Sequence, residues 1–192
     1  ALAFFCVGLY EDLNASLSSV RRFGIMMIIG MGALSLFPEL ILVDSGVAVV
    51  DWLTSAPLSA IVFTAICFAF IPNAFNTADG ANGLVSGVSV LALYGLTFAV
   101  PEEGAFIVKT AIVGTMVFMV INLISGRFFL GDGGAYFLGG LSGAVLVVTA
   151  NQTDVSSWWM LSLIFYPVAD LIWSVCRRIL SGASPLAPDN QH

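Results

Sequence analysis

Charge is what this 192-residue sequence has least of. Asp, Glu, Lys and Arg make up 9% of it, against roughly a quarter in an ordinary soluble domain. Apolar residues make up 59%, and the mean hydropathy is +1.01. Too few polar side chains remain to cover the outside of a water-soluble domain or to solvate a disordered chain. Six basic residues cannot build the patches that nucleic acid requires, so no nucleic-acid partner is expected. Period-two alternation is missing, which argues against a porin-like barrel. Histidine occurs once and cysteine three times, without clustering, so a zinc site is not expected. Cys6, Cys67 and Cys176 lie in apolar surroundings and read as small buried hydrophobes. No Gly-Lys-Ser/Thr follows a glycine run, which excludes a P-loop.

Long apolar runs are what remains. Charge is absent between Arg22 and Glu39, Asp51 and Asp79, Asp79 and Glu102, Lys109 and Arg127, Asp132 and Asp154, and Asp154 and Asp170. These gaps predict helices at about 23–43, 56–74, 84–100, 105–125, 135–150 and 157–177. The apolar stretch 1–9 is too short to span and lacks the marks of a signal peptide, so it reads as the tail of a preceding helix. The expectation is an all-α polytopic membrane protein with six full transmembrane helices plus the end of an earlier one. They form a single transmembrane domain over 1–192 that is incomplete at both ends. Pro57 and Pro101 fall at span edges, while Pro38 and Pro167 fall where they would kink a span. Gly83-x-x-x-Gly87 and Gly139-x-x-x-Gly143 read as close-packing positions. The sequons at Asn14 and Asn151 carry no weight.

Alternating crossings place Arg21, Arg22, Arg127, Arg177 and Arg178, five of the six basic residues, on one side. Glu39, Asp44, Asp51, Glu102, Glu103 and Asp154 fall on the other. The positive-inside rule makes the first side cytoplasmic. Three polar clusters share that face: Gly8-Leu9-Tyr10-Glu11-Asp12, the run from Asn73 through Asn76, Asp79 and Asn82 to Leu84, and Asn122 with Phe129-Leu130-Gly131-Asp132-Gly133-Gly134. Carboxylates at a membrane boundary are costly unless paired or ligated. Each cluster alone would pass for loop solvation or a turn. Together, beside glycines that allow close backbone approach, they suit a divalent cation holding phosphates, since Mg²⁺ takes oxygen ligands from one or two carboxylates plus phosphate and water. Asp170 reads as a polar partner for a neighbouring helix or an arginine.

These motifs, in this order, resemble the polyprenyl-phosphate N-acetylhexosamine-1-phosphate transferases, glycosyltransferase family 4, the superfamily of phospho-N-acetylmuramoyl-pentapeptide transferase. The resemblance rests on the G-x-x-D-D-like Gly8 to Asp12, the N-x-x-N-x-x-D-G-x-N-G-L run from Asn73, and the G-D-x-G-A loop at Gly131. The tail ending at His192 looks like the approach to the family's His-containing loop. The resemblance implies transfer of a sugar-1-phosphate from a UDP-N-acetylhexosamine to undecaprenyl phosphate, releasing UMP, in initiation of O-antigen or another surface glycan. It implies Mg²⁺, with Mn²⁺ as a substitute, held by Asp132 and Asp79. Glu11 and Asp12 would hold or deprotonate the lipid phosphate, with Glu11, Asp12 and Asp132 as the catalytic set. Asn76, Asp79, Asn82, Asn122 and His192 would bind substrate. It further implies a bacterial inner (plasma) membrane location, an active site on the cytoplasmic face, and a lipid-bilayer environment that allows a homodimer.

Two departures matter. Glu11 stands where most members carry Asp, leaving open whether it or Asp12 is the base. Asn82 stands where the muramoyl-pentapeptide branch carries Asp, which points away from that branch. A cation-coupled transporter or flippase is the rival from another class; it would need polar groups at the membrane midplane, where these spans have Ser and Thr but essentially no charge. An inactive relative is the third reading. Missing flanking segments would leave residues 1–192 inactive in isolation.

Overall fold

The computed structural model describes residues 1–14, 17–126 and 130–182. Among them there are nine α-helices: α1 (Leu2–Asn14), α2 (Ser19–Leu36), α3 (Ala48–Leu53), α4 (Pro57–Thr77), α5 (Leu84–Leu96), α6 (Glu102–Ser125), α7 (Gly131–Gln152), α8 (Ser157–Leu163) and α9 (Phe165–Leu180). A 3₁₀ turn over Pro38–Leu40 follows α2. α2, α4, α6 and α7 are each long and apolar enough to cross a membrane. α8 and α9 together make a fifth such segment, bent by 76°. α5, with 13 residues, is a shorter apolar helix.

The expected span at 23–43 ends at Leu36 because Pro38 cannot donate its N–H to continue the helix. The span at 157–177 is broken in two. Pro167 falls in the first turn of α9, where it cannot donate to the carbonyl of Leu163, and the bend sits at Ile164. Pro72, by contrast, lies inside α4 and is fully buried there. α4 runs on through Asn73 and Asn76, so these amides belong to its last turns rather than to a loop. α7 starts at Gly131, which puts Asp132 on a helix.

α7 is the central element. It packs against α1, α4 and α5, and most of its length is enclosed. On one side of it Phe4, Met26, Leu34 and Phe68 gather around Tyr136. On the other, Phe75, Leu93, Leu96, Val108, Met160 and Ile164 form a second cluster. Apolar burial does little to drive helices together in lipid, so close backbone contact has to do more of it. Between α7 and α4 the closest such approach is at Gly139, where a Cβ would lie 2.6 Å from the Cα of Pro72. At Gly143 a Cβ would meet the Ile71 side chain at 3.3 Å. This pair is therefore a packing seam, as its spacing predicts.

At the end of the bundle that carries Glu39, Asp44 and Asp51, Asn151 binds the loop after α2. Its Nδ2 donates to the carbonyls of Ile41 (2.7 Å) and Glu39 (3.2 Å), and its Oδ1 accepts from the Val43 N–H at 3.1 Å. The three cysteines are free, as expected, but Cys6 and Cys176 face outward rather than into the core. The outward face of a membrane helix is apolar too, so apolar surroundings do not distinguish the faces. Asp170 is half-buried and forms no ion pair among the described residues.

Gly139→Ala is expected to lower stability by about 1–3 kcal/mol, because its new methyl meets backbone that cannot rotate away. Gly32→Ala, with nothing within 4 Å of the added atom, serves as the control and should be close to neutral. Thermal unfolding of both variants in the same detergent checks this.

Candidate active site

The opposite end of the bundle gathers the polar clusters of α1, α4 and α7. Gly8 lies against the start of α7 so closely that a Cβ would be 2.4 Å from the Asp132 C and O and from the Gly133 N. One turn later on the same face of α1, Asp12 reaches that helix end. Its Oδ1 accepts from the Asp132 N–H (2.9 Å) and its Oδ2 from the Gly133 N–H (3.0 Å). Gly131, at φ +68°, would set a Cβ 2.8 Å from Asp12 Oδ2, so glycine is required there on both counts.

The Asp132 side chain points to α2, where Arg22 Nη1 donates to its Oδ2 at 2.7 Å. The pair is about one-fifth exposed on each side. Arg22 Nε is buried and has no acceptor among the described residues. Glu11 Oε2 accepts from the Leu17 N–H at 3.0 Å. Asn76 Nδ2 stands 3.5 Å from the hydroxyl of Tyr136, one turn beyond Asp132 on α7. Asn73 donates to the Ala69 carbonyl of its own helix at 2.7 Å and to Met26 Sδ at 3.1 Å.

Asp79 joins this carboxylate cluster to a second compartment. Its carboxyl is pushed up to about 6, first by burial and then by the negative charge of Asp132 and Asp12. It also lines a cavity of about 270 Å³ together with Gly80, Asn82, Ser86, Phe118 and Asn122. Asn122 is buried and donates through Nδ2 to Asn82 Oδ1 at 3.3 Å. Gly83, at φ +78°, turns the chain from this loop into α5.

The structure thus brings Asp12, Asp132 and Asp79 together, with Glu11 beside Asp12 in sequence, and sets Asn82 and Asn122 in the adjoining cavity. His192 lies outside the described residues, as do Arg127 and Phe129. Sequence reasoning did not assign Arg22 to Asp132, and missed Tyr136 and Phe118. Arg22 had a signal, as one of two adjacent cations on a face crowded with carboxylates. Phe118 had none, since it sits in an unbroken apolar run.

The profile of "Glycosyl transferase family 4" matches residues 1–150. The chain belongs to that family. Its relatives include the undecaprenyl-phosphate alpha-N-acetylglucosaminyl 1-phosphate transferase of Thermotoga maritima, 30% identical over 132 residues, which covers 68% of this chain and 40% of that protein. The transferase of the same name from Yersinia pestis is 28% identical over 134 residues, covering 62% and 36%. The decaprenyl-phosphate N-acetylglucosaminephosphotransferase of Mycolicibacterium smegmatis is 24% identical over 160 residues, covering 70% and 39%. This family 4 chain therefore matches about two-fifths of the length of these relatives.

The raised Asp79 carboxyl has a consequence for stability. Its folded-state value lies above the ordinary carboxylate value, so its contribution is complete below about pH 4 and is lost as pH rises through about 6. In chelator-containing buffer, Asp79→Asn should melt above wild type at pH 7–8. The difference should close toward pH 4. Melting curves across that range check it, and a constant gap contradicts the assignment.

Proposed function

We propose that the protein to which this chain belongs transfers N-acetylhexosamine-1-phosphate from a UDP-sugar to undecaprenyl phosphate at the cytoplasmic face of the bacterial inner membrane. The acceptor phosphate oxygen attacks the β-phosphorus of the donor, the bond to the α-phosphate oxygen breaks, and UMP leaves with a polyprenyl diphosphate-sugar formed. The observation that carries this reading is the convergence of α1 and α7 at one end of the bundle, where Asp12 accepts from the Asp132 and Gly133 amides and Asp79 stands near enough to feel the charge of Asp132 and Asp12. The family match and the relatives' names support it.

Mg²⁺ fits this donor set in the manner usual for that ion. No group of three or more His, Cys, Asp or Glu among the described residues is arranged to hold a metal alone. Mg²⁺ rarely asks for that, taking one or two carboxylates and filling the rest with phosphate and water. The crowding of negative charge at Asp79 is what a divalent cation would relieve. Asp132 and Asp79 would hold it, and when bound it supplies neutralisation of charge on the phosphoryl oxygens. Mn²⁺ fits the same ligands.

The remaining residues divide the work. Arg22 holds Asp132 through Nη1 and would offer its Nε, which has no acceptor among the described residues, to a phosphate oxygen. Glu11 engages the Leu17 N–H through one oxygen, and we assign it as the group that holds or deprotonates the acceptor phosphate. The cavity bounded by Asn82, Asn122 and Phe118 offers amides and an aromatic wall to the nucleotide, and Asn76, beside the Tyr136 hydroxyl, would bind substrate from α4. His192 would meet the diphosphate or sugar. Asn82 favours initiation of O-antigen or a related surface glycan over the muramoyl-pentapeptide reaction.

Membranes carrying the complete protein should release UMP from a UDP-N-acetylhexosamine only when Mg²⁺ or Mn²⁺ is present. Asp132→Asn should reduce that release at least about 100-fold. Full activity in this variant would remove Asp132 from the metal site, and UMP release in chelator would remove the metal.

A further inference from the structure

α7 has no cap of its own. The residue before its first turn is Leu130, in a helical conformation, with no side chain that accepts from the helix. The first amides of a helix need acceptors, and a side-chain carboxylate normally meets the N–H groups of its second and third residues. Those residues in α7 are Asp132 and Gly133. The oxygens at 2.9 and 3.0 Å from their amides belong to Asp12, on a helix 120 positions earlier in the sequence.

We propose that Asp12 is a positioning residue rather than the base: its carboxylate caps α7 from α1 and thereby fixes where Asp132 stands. The geometry is built for this contact. Gly8 removes the Cβ that would hold the two backbones apart, and Gly131 removes the one that would collide with the carboxylate. Gly133 leaves 3.2 Å for its missing Cβ beside the Leu9 N. Both Asp12 oxygens are committed to amides. The negative charge also lies at the positive end of a 22-residue helix. Asp132 is restrained twice, through its amide by Asp12 and through its carboxylate by Arg22.

This role rests on the reading of Asp132 as the metal ligand, and the test separates the two. Asn offers one acceptor oxygen in place of two and cannot take a proton, so it can cap one of the two amides, whereas Glu can take a proton but is not a favoured cap. The complete protein in nanodiscs is compared as wild type, D12N, D12E and D132N. Mn²⁺ binding is read by electron paramagnetic resonance, amide exchange of the first turn of α7 by mass spectrometry, and turnover by UMP release. In D12N, one of the two first-turn amides should stay protected while the other exchanges faster, Mn²⁺ affinity should stay within about threefold of wild type, and turnover should be reduced but measurable. In D12E, exchange should rise roughly fivefold or more and Mn²⁺ affinity should fall about tenfold. The opposite order, with D12E active and D12N dead at intact Mn²⁺ binding, overturns the proposal. Unchanged exchange in D12E also overturns it. Should D132N bind Mn²⁺ like wild type, the metal reading fails, and the cap is then decided by the exchange rates alone.

Discussion

The contact between the end of α1 and the first turn of α7 is the constraint on which the site depends. Gly8 allows backbone to touch backbone there, and Asp12 closes the contact with two hydrogen bonds. Separating the helices by the width of one methyl group would break both bonds, and Asp132 would move with the helix that carries it. Arg22 adds a third element, because its reach to Asp132 ties α2 to the same point. Three helices from two distant parts of the chain thus converge on the first turn of α7.

The same economy runs along the whole of α7. In water a helix is held by burying an apolar stripe, but in lipid the stripe gains little from exchanging one apolar neighbour for another. Close approach then carries more of the binding, and α7 has glycine where its neighbours come nearest. Gly133 meets α1 at Leu9, Gly139 meets α4 at Pro72, and Gly140 meets the ring of Phe4. Pro72 suits that position: the fully buried proline packs where the opposing helix offers only a hydrogen. The most closely packed part of the fold is therefore α1, α4 and α7. The site is built on their ends, and the cavity with Asn82 and Asn122 is added by the loop between α4 and α5 and by α6.

Gaps between charges located the long helices because a charge inside lipid is costly wherever it points. They could not locate breaks, which cost only a hydrogen bond. So 157–177 reads as continuous in the sequence, yet bends at Ile164, and the stretch after Leu36 ends early at Pro38. Faces were equally hidden. Cys6 and Cys176 sit among apolar neighbours and still point outward, since lipid and core share one polarity. The polar clusters of the candidate site were more legible than the packing, because polar residues at a membrane boundary stand out by type. What the residue types did not carry was connectivity. Nothing in the spelling of Glu11-Asp12 says that the second carboxylate spans 120 positions to cap a helix while the first turns to Leu17.

Net charge takes a different meaning once the charges are placed. A chain at −6 with six basic residues is poorly composed for handling phosphates. Several of its acids lie at the far end of the bundle, however, where Asp51 is used to hold Ser45 at 2.8 and 2.7 Å. At the site end, Asp12 is committed to two amides, Asp132 to Arg22 and one Glu11 oxygen to the Leu17 N–H, while the Asp79 carboxyl is pushed up first by burial and then by the charge of Asp132 and Asp12. On the proposed reading, a divalent cation would supply positive charge at that point. A cation-dependent phosphate site needs no basic surface. It needs carboxylates kept close against their mutual repulsion, and the α1–α7 contact supplies the rigidity for that.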